Sequence, residues 1–464
     1  MAAEPYPERG VKPSADDELT PTEPTDATPL DADDVVMQPR RQGRALPNLS
    51  IGRLVTYTAI ITAVVVVASV VIADRPWAHQ RQSSKQVQPF VPGAKSYNLA
   101  GLQSVAIGPD NKIIAVGSTT SDGYNNAALA IKVNPDGSLV WSKAFGDASG
   151  NVEFDCAAVA PDGAVIAVGQ SAAMYGDFAV KYPEQGHGGA LVARIGPDGT
   201  LLWSKVFGGK SGDSFSGVAL TPDGGLVAVG ETNSVDGDFP DTHDTAANGY
   251  MSSDAVIMKL NVDGTIAWST VFGGSNNDSF ASVAVGEDGN VVAVGSTNST
   301  DGDFTCKAQS GCGMAVKVGA DGALAWARTF VDGYSAQLAG VTIAQNSSII
   351  AVGKGNNQAW AIRLTAAGGT AWTKHYLQGR SSTFGAVAVA PGGVVAVGQR
   401  TNANAGGSVF DTKDSVVARI KPNGGVAWES LASGTSSVAV SADGSVATAG
   451  GVFITRLTSN GKTG

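Results

Sequence analysis

The feature that most constrains this chain is a phrase repeated seven times. A short alternating strand closes in glycine at Gly117, Gly169, Gly230, Gly295, Gly353, Gly398 and Gly450. A basic residue set between apolar neighbours follows each one, at Lys132, Arg194, Lys259, Lys317, Arg363, Arg419 and Arg456. Nine residues after the first six of these stands a tryptophan: Trp141, Trp203, Trp268, Trp326, Trp372 and Trp428. Self-similarity at this period marks a repeat architecture, in which each unit is one supersecondary element stacked on the next.

Between the basic residue and its tryptophan lies turn chemistry, as in NPDG at 134–137, GPDG at 196–199 and NVDG at 261–264. Asp and Gly supply the backbone angles a tight turn needs, and the pair therefore brackets a β-hairpin. A two-residue loop would place Lys132 opposite Trp141, whereas a glycine bulge would shift the register by one. A cation–π contact is one reading of the pair, and an alkyl stem lying along the indole is the expected one.

Each repeat thus reads as four strands: an inner strand A such as SVAV, B ending in AVG, C carrying the basic residue and D carrying the tryptophan. An aromatic follows the tryptophan by four residues, at Phe145, Phe207, Phe272, Phe330 and Tyr376. From the AVG glycine to the basic residue the distance ranges from 6 to 29 residues, which puts the length variation in the B–C connection.

Four-stranded units repeated seven times fit an all-β, seven-bladed β-propeller over residues 93–461, because radial closure covers sheet edges that a linear array exposes. A solenoid is the alternative. The ends of the repeat discriminate. After Arg456 the chain offers LTSNGKTG, without a D strand, while VPGAKSYNLA at 91–100 has no A, B or C of its own. Residues near Lys95 to Leu99 are therefore expected to complete the seventh blade.

In such a meander the D–A and B–C connections share one face, here called the top, and the A–B and C–D turns share the bottom. VVAVGSTNSTDGDF at 291–304 and LVAVGETNSVDGDF at 226–239 then send their acidic loops to the top, beside the inter-blade texts GGKSGDSF and GGSNNDSF. Asp213, Asp236, Asp238, Asp278, Asp301 and Asp303 gather there and are the ligand-binding candidates, since rigid scaffolds place recognition on such loops. D-x-D spacing lets two carboxylates meet one hard cation, which makes calcium the cofactor to consider, although the further oxygen ligands of a complete loop are missing. Asp-Gly-Asp is also a turn signature in its own right.

The phrase G-x-x-x-W, as in GSLVW from Gly137, GTLLW from Gly199, GTIAW from Gly264 and GALAW from Gly322, resembles the PQQ-like bacterial propellers, whose tryptophan-docking motif packs one blade on the next. The likeness is closer still to bacterial surface propellers with VGxTxSxDGDF repeats. It implies the fold. Quinone-dependent dehydrogenase chemistry would require a vicinal disulfide and calcium ligands, and the chain has no adjacent cysteines and one blade too few.

Other catalytic signatures are missing. His79, His187, His243 and His375 are scattered without metal-binding spacing, and no G-x-S-x-G elbow, P-loop or G-x-G-x-x-G follows a strand. No catalytic residue and no metal site is nominated. Cys306 and Cys312 fall in one top loop and form the disulfide candidate, whereas Cys156 begins an A strand as a buried thiol.

Residues 1–45 read as a disordered acidic tail rich in Pro and Thr. The uncharged run from Leu54 to Ala73 holds 20 residues, enough at ~1.5 Å each to span a bilayer core of about 30 Å. It is expected to be a single transmembrane helix, with a cleaved signal peptide as the alternative. Arg40, Arg41, Arg44 and Arg53 before it favour a cytoplasmic amino terminus, and residues 74–92 form a linker. The net charge of -10 and the lack of a basic patch argue against nucleic acid. The expected function is a cell-surface binding or scaffolding module, anchored in the membrane, that meets a protein or glycan ligand on its loop-rich face outside the cytoplasm. An extracytoplasmic hydrolase or lyase with an acidic top site is the alternative.

Overall fold

The computed structural model describes residues 94–96, 101–120, 126–146, 150–181, 187–239, 242–243, 252–344, 346–379, 381–402 and 412–462. The tail at 1–45, the apolar run at 54–73 and the linker at 74–92 lie outside the described residues. Among the described residues no helix is long and apolar enough to cross a membrane.

Seven antiparallel sheets of four strands each make up the described chain, and within each sheet the strands follow the order A, B, C, D from one edge to the other. Blades 1 to 6 span residues 101–145, 152–207, 213–272, 278–330, 336–376 and 381–431. Blade 7 takes strands A to C from residues 437–457 and its fourth strand from Ala94–Ser96. Each A strand touches the A strand of the next blade, and Ser437–Val440 of blade 7 returns to Gly101–Ile107 of blade 1. The ends of the array meet, which makes it a β-propeller and not a solenoid.

At the seam, Ala94, Lys95 and Ser96 stand opposite Thr455, Ile454 and Phe453, antiparallel to strand C of blade 7. The pairing starts one residue before the segment expected from the sequence. Because strand C runs from top to bottom, this donated strand starts at the bottom and climbs, and the chain joins the propeller on its bottom face.

The core is a series of layers between blades. Strands B and C are buried on both faces, as the five consecutive buried residues at Val291–Gly295 and Cys312–Val316 show, and that demands the apolar runs seen in the sequence. Strand D is the outer, half-exposed edge. The AVG glycine has a specific cause. Strand A bulges between Phe215 and Gly217, and a Cβ at Gly230 opposite would stand 2.0 Å from the carbonyl oxygen of Ser214. No side chain fits there.

The basic residue and the tryptophan are direct cross-strand neighbours in all six complete blades, from Lys132↔Trp141 to Arg419↔Trp428, with the bulge placed one residue beyond the pair. Their polar ends look elsewhere. In blades 1, 2 and 3 the cation reaches the Asp of its own A–B turn: Lys132 to Asp110 at 2.9 Å, Arg194 to Asp162 at 2.6 Å and Lys259 to Asp223 at 2.6 Å. The hydrogen bond from Lys259 holds the Asp223 carboxyl down to about 2.

Tryptophan cements neighbouring blades. The indole N–H of Trp141 donates to Pro197 O at 3.0 Å, Trp268 to Ala320 O at 3.0 Å, and Trp372 to Pro422 O at 3.1 Å, each acceptor lying in the C–D turn of the following blade. The glycine of that turn lies flat on the ring. A Cβ on Gly322, whose φ is +85°, would stand 2.8 Å from Cδ2 of Trp268. Even the carboxyl-terminal LTSNGKTG takes part, since Gly461 covers Trp428 and Ser459 O accepts its indole N–H at 3.2 Å.

Candidate functional site

The six nominated aspartates lie on the top face in two equivalent clusters, one at blade 3 and one at blade 4, and the structure shows what occupies them. Asp213 is almost wholly buried at the start of strand A. It accepts hydrogen bonds from Gly209 N at 3.0 Å, from Ser234 Oγ at 2.9 Å and from the Thr232 hydroxyl. Asp236 accepts Lys210 N at 2.9 Å and pairs with Lys210 Nζ at 3.1 Å; that backbone bond first of all holds its carboxyl below the ordinary range. Asp238 accepts Gly208 N at 3.0 Å and meets Lys181 Nζ at 3.3 Å.

Blade 4 repeats the arrangement. Asp278 accepts Ser299 Oγ at 2.7 Å, Asp301 accepts Ser275 N at 2.8 Å, and Asp303 accepts Gly273 N at 3.1 Å. Phe239 and Phe304, which close the two DGDF phrases, are fully buried beneath them. The acidic loops therefore clasp the inter-blade connections 208–213 and 273–278, whose amides would otherwise lack partners. Each carboxylate turns at least one oxygen to a protein donor, while Asp278 Oδ1 is buried without a hydrogen-bond partner. Among the described residues no group of three or more His, Cys, Asp or Glu side chains is placed to hold a metal ion.

One titratable cluster was not foreseen. Asp254, at the start of strand C in blade 3, is buried close to Asp278 of blade 4. Burial pushes its carboxyl up to about 6, against the hydrogen bond from His243 N at 2.5 Å, and burial likewise raises Asp278. His243 spans the two acidic regions, with Nδ1 3.6 Å from Asp254 Oδ2 and Nε2 3.5 Å from Asp303 Oδ2. With side-chain exposure of 2%, Asp254 is closed to a substrate.

The open space on this face lies beside that cluster. A cavity of about 400 Å³ at the junction of blades 3 and 4 is lined by Glu231, Asn233, Ser253, Asn277, Ser279, Ser296 and Asn298. Ser279 and Ser296 come from strand ends and Asn233, Ser253, Asn277 and Asn298 from the loop residues that adjoin them, with one carboxylate and no cation. Such a wall offers donors and acceptors at close spacing without strong charge. Sequence reasoning passed over these residues because Asn and Ser are ordinary loop residues; the only signal was their recurrence in the ETN and STN texts of the repeats.

Cys306 and Cys312 form a disulfide with Cα atoms 5.6 Å apart, and Cys156 is a free thiol whose pKa burial raises. A larger cavity, of about 600 Å³, opens on the bottom face between blades 5 and 6.

No protein-family model and no curated protein matches the chain. Among solved structures, the Dos1 propeller is similar at 9% identity, over 77% of each chain, with a TM-score of 0.43. Drosophila Plexin A in complex with Semaphorin 1b is similar at 11% identity over 80% of this chain and 87% of that one, with a TM-score of 0.43. Drosophila Semaphorin 1b, extracellular domains 1-2, is similar at 11% over 79% and 86%, with a TM-score of 0.42. Likeness at this level concerns chain topology alone, and no ligand or partner is carried over from it.

Proposed function

We propose that this β-propeller is a binding module anchored in the cell membrane through Leu54 to Ala73, held outside the cytoplasm, and that its loop-rich face takes a neutral glycan. The observation that carries the ligand class is the cavity at blades 3 and 4, walled by amides and hydroxyls with Glu231 as its one charge. Sugars present hydroxyl groups at comparable spacing and need no counter-charge. The length of the uncharged run and the arginines before it support the anchor and its orientation. The disulfide between Cys306 and Cys312 supports an oxidising compartment.

The hydrolase or lyase reading has only Glu231 on the cavity wall and no second acid beside it there, since Asp213, Asp254 and Asp278 are buried and the remaining four top aspartates hold backbone amides. The test is a glycan panel titrated against the full chain and against Asn233→Ala and Ser296→Ala. Saturable binding that weakens at least about tenfold in both variants is expected, equivalent to the loss of one or two hydrogen bonds. A panel without binding, or binding indifferent to both changes, refutes the glycan site. Protease added to intact cells is expected to digest the propeller and spare residues 1–45; the opposite pattern refutes the orientation.

A further inference from the structure

The bottom-face cavity lies where two of the A–B turns lack an acid. Aligned by their strands, the seven A–B turns carry an aspartate in five cases: Asp110, Asp162, Asp223, Asp288 and Asp443. The two exceptions are blade 5, with Asn346, and blade 6, with Pro391 and Gly392. Those same two turns border the cavity, with Ser441 and Ala442 of the blade 7 turn completing the rim. In blade 5 the amide performs the structural task of the acid. Asn346 Oδ1 accepts Ser348 N at 3.2 Å, as Asp223 Oδ1 accepts Gly225 N at 3.2 Å in blade 3. The turn is kept and the charge is dropped.

Blade 6 loses more than charge. Val389 pairs with Val394 across four intervening residues, whereas the equivalent Leu220 and Leu226 of blade 3 enclose five. The shorter turn leaves the recess. Its walls carry two cations, Arg363 and Lys421, and no carboxylate, in a chain whose net charge is -10. One arm of Arg363 is fixed on Pro422 O at 2.8 Å, and Lys421 has no ion-pair partner among the described residues. Trp372, Ile350, Val389, Val394, Ile420 and Val440 supply apolar surface around them.

We propose that this cleft binds an organic anion made of an apolar body and a single carboxylate. A volume of about 600 Å³ is that of a small-molecule site, and apolar walls with few fixed polar groups are the usual make-up of one. The absence of acid from the turns of blades 5 and 6 gives the carboxylate its place, since an aspartate in either would stand against it in a partly desolvated recess, where like charges repel strongly; Asp443 of the blade 7 turn accepts Ser441 Oγ and Ser445 N and is not part of the wall. Lys421 and the free N–H groups of Arg363 supply the attraction. The site is independent of the glycan cavity on the other face.

The experiment is calorimetric titration of the full chain with 2-naphthoate and with its neutral isostere 2-naphthamide. The carboxylate is expected to bind at least about tenfold more tightly than the amide, with affinity falling as salt rises. Asn346→Asp restores the residue found in the five other turns, and Lys421→Gln changes a surface side chain; each is expected to weaken 2-naphthoate at least about threefold while leaving 2-naphthamide unchanged. Unchanged melting temperatures establish that both variants are folded. Equal affinity for the two probes, no saturable binding of 2-naphthoate, or an Asn346→Asp chain that binds as well as the parent overturns the proposal.

Discussion

If tryptophan docking holds the blades together, substituting a docking glycine must cost more than its backbone strain alone. Gly322 and Gly224 allow the two contributions to be separated. Both adopt left-handed backbone, with φ of +85° and +86°. A Cβ at Gly224 would meet nothing within 4 Å, whereas a Cβ at Gly322 would stand 2.8 Å from Cδ2 and 3.0 Å from Cε3 of Trp268. Gly224→Ala should therefore lose only the strain of a left-handed alanine, about 1–2 kcal/mol. Gly322→Ala incurs the same strain, adds an overpacking cost of about 1–3 kcal/mol, and loosens the indole bond to Ala320 O, worth about 1 kcal/mol. The expected difference between the variants is about 2–4 kcal/mol, taken as the sum of the last two effects. Equilibrium urea unfolding of both variants, followed by tryptophan fluorescence, measures it. Equal losses would show that the indole contact contributes nothing and that the repeated tryptophan has another cause.

Three further outcomes are expected. Burial raises the Asp254 carboxyl from 3.8 to about 6, so the folded chain keeps a proton that the unfolded chain releases; the stability this brings is full below about pH 4 and is lost as pH rises through 6. Asp254→Asn should thus stabilise the protein above pH 6 and match the parent below about pH 4, read from melting temperature against pH. Replacing Cys306 and Cys312 together by serine should cost about 2 kcal/mol, the closure entropy of a short loop, seen as a lower urea midpoint. Deleting the chain through Ser96 should leave Phe453–Leu457 as an open sheet edge, and light scattering should then record self-association that a chain deleted only through Ala73 does not show.

The sequence was most legible where repetition turned single residues into positions. The glycine of each AVG phrase, the paired basic residue and tryptophan, and the unmatched strands at the two ends were sufficient to read the ring. The acidic loops were legible as to face but not as to role: Asp236 and Asp301 are occupied by the backbone N–H groups of Lys210 and Ser275, and backbone donors leave no mark in the text. The ion pairs of Lys132, Arg194 and Lys259 with turn aspartates were missed because their members belong to different hairpins. Only knowledge that both turns share the bottom face brings them together. Asp254 was missed for a similar reason, since its partner Asp278 belongs to another blade. The bottom cleft announces itself by what two turns omit, and an omission shows only after all seven are laid over one another.

The three-residue strand Ala94–Ser96 has a consequence for how the molecule is made. It is the first of the propeller's strands to leave the ribosome yet cannot find its partner until Thr455 has been synthesised, so the circlet stays unlatched while all seven blades are made. The shortest strand among the described residues is thus the last to be fastened.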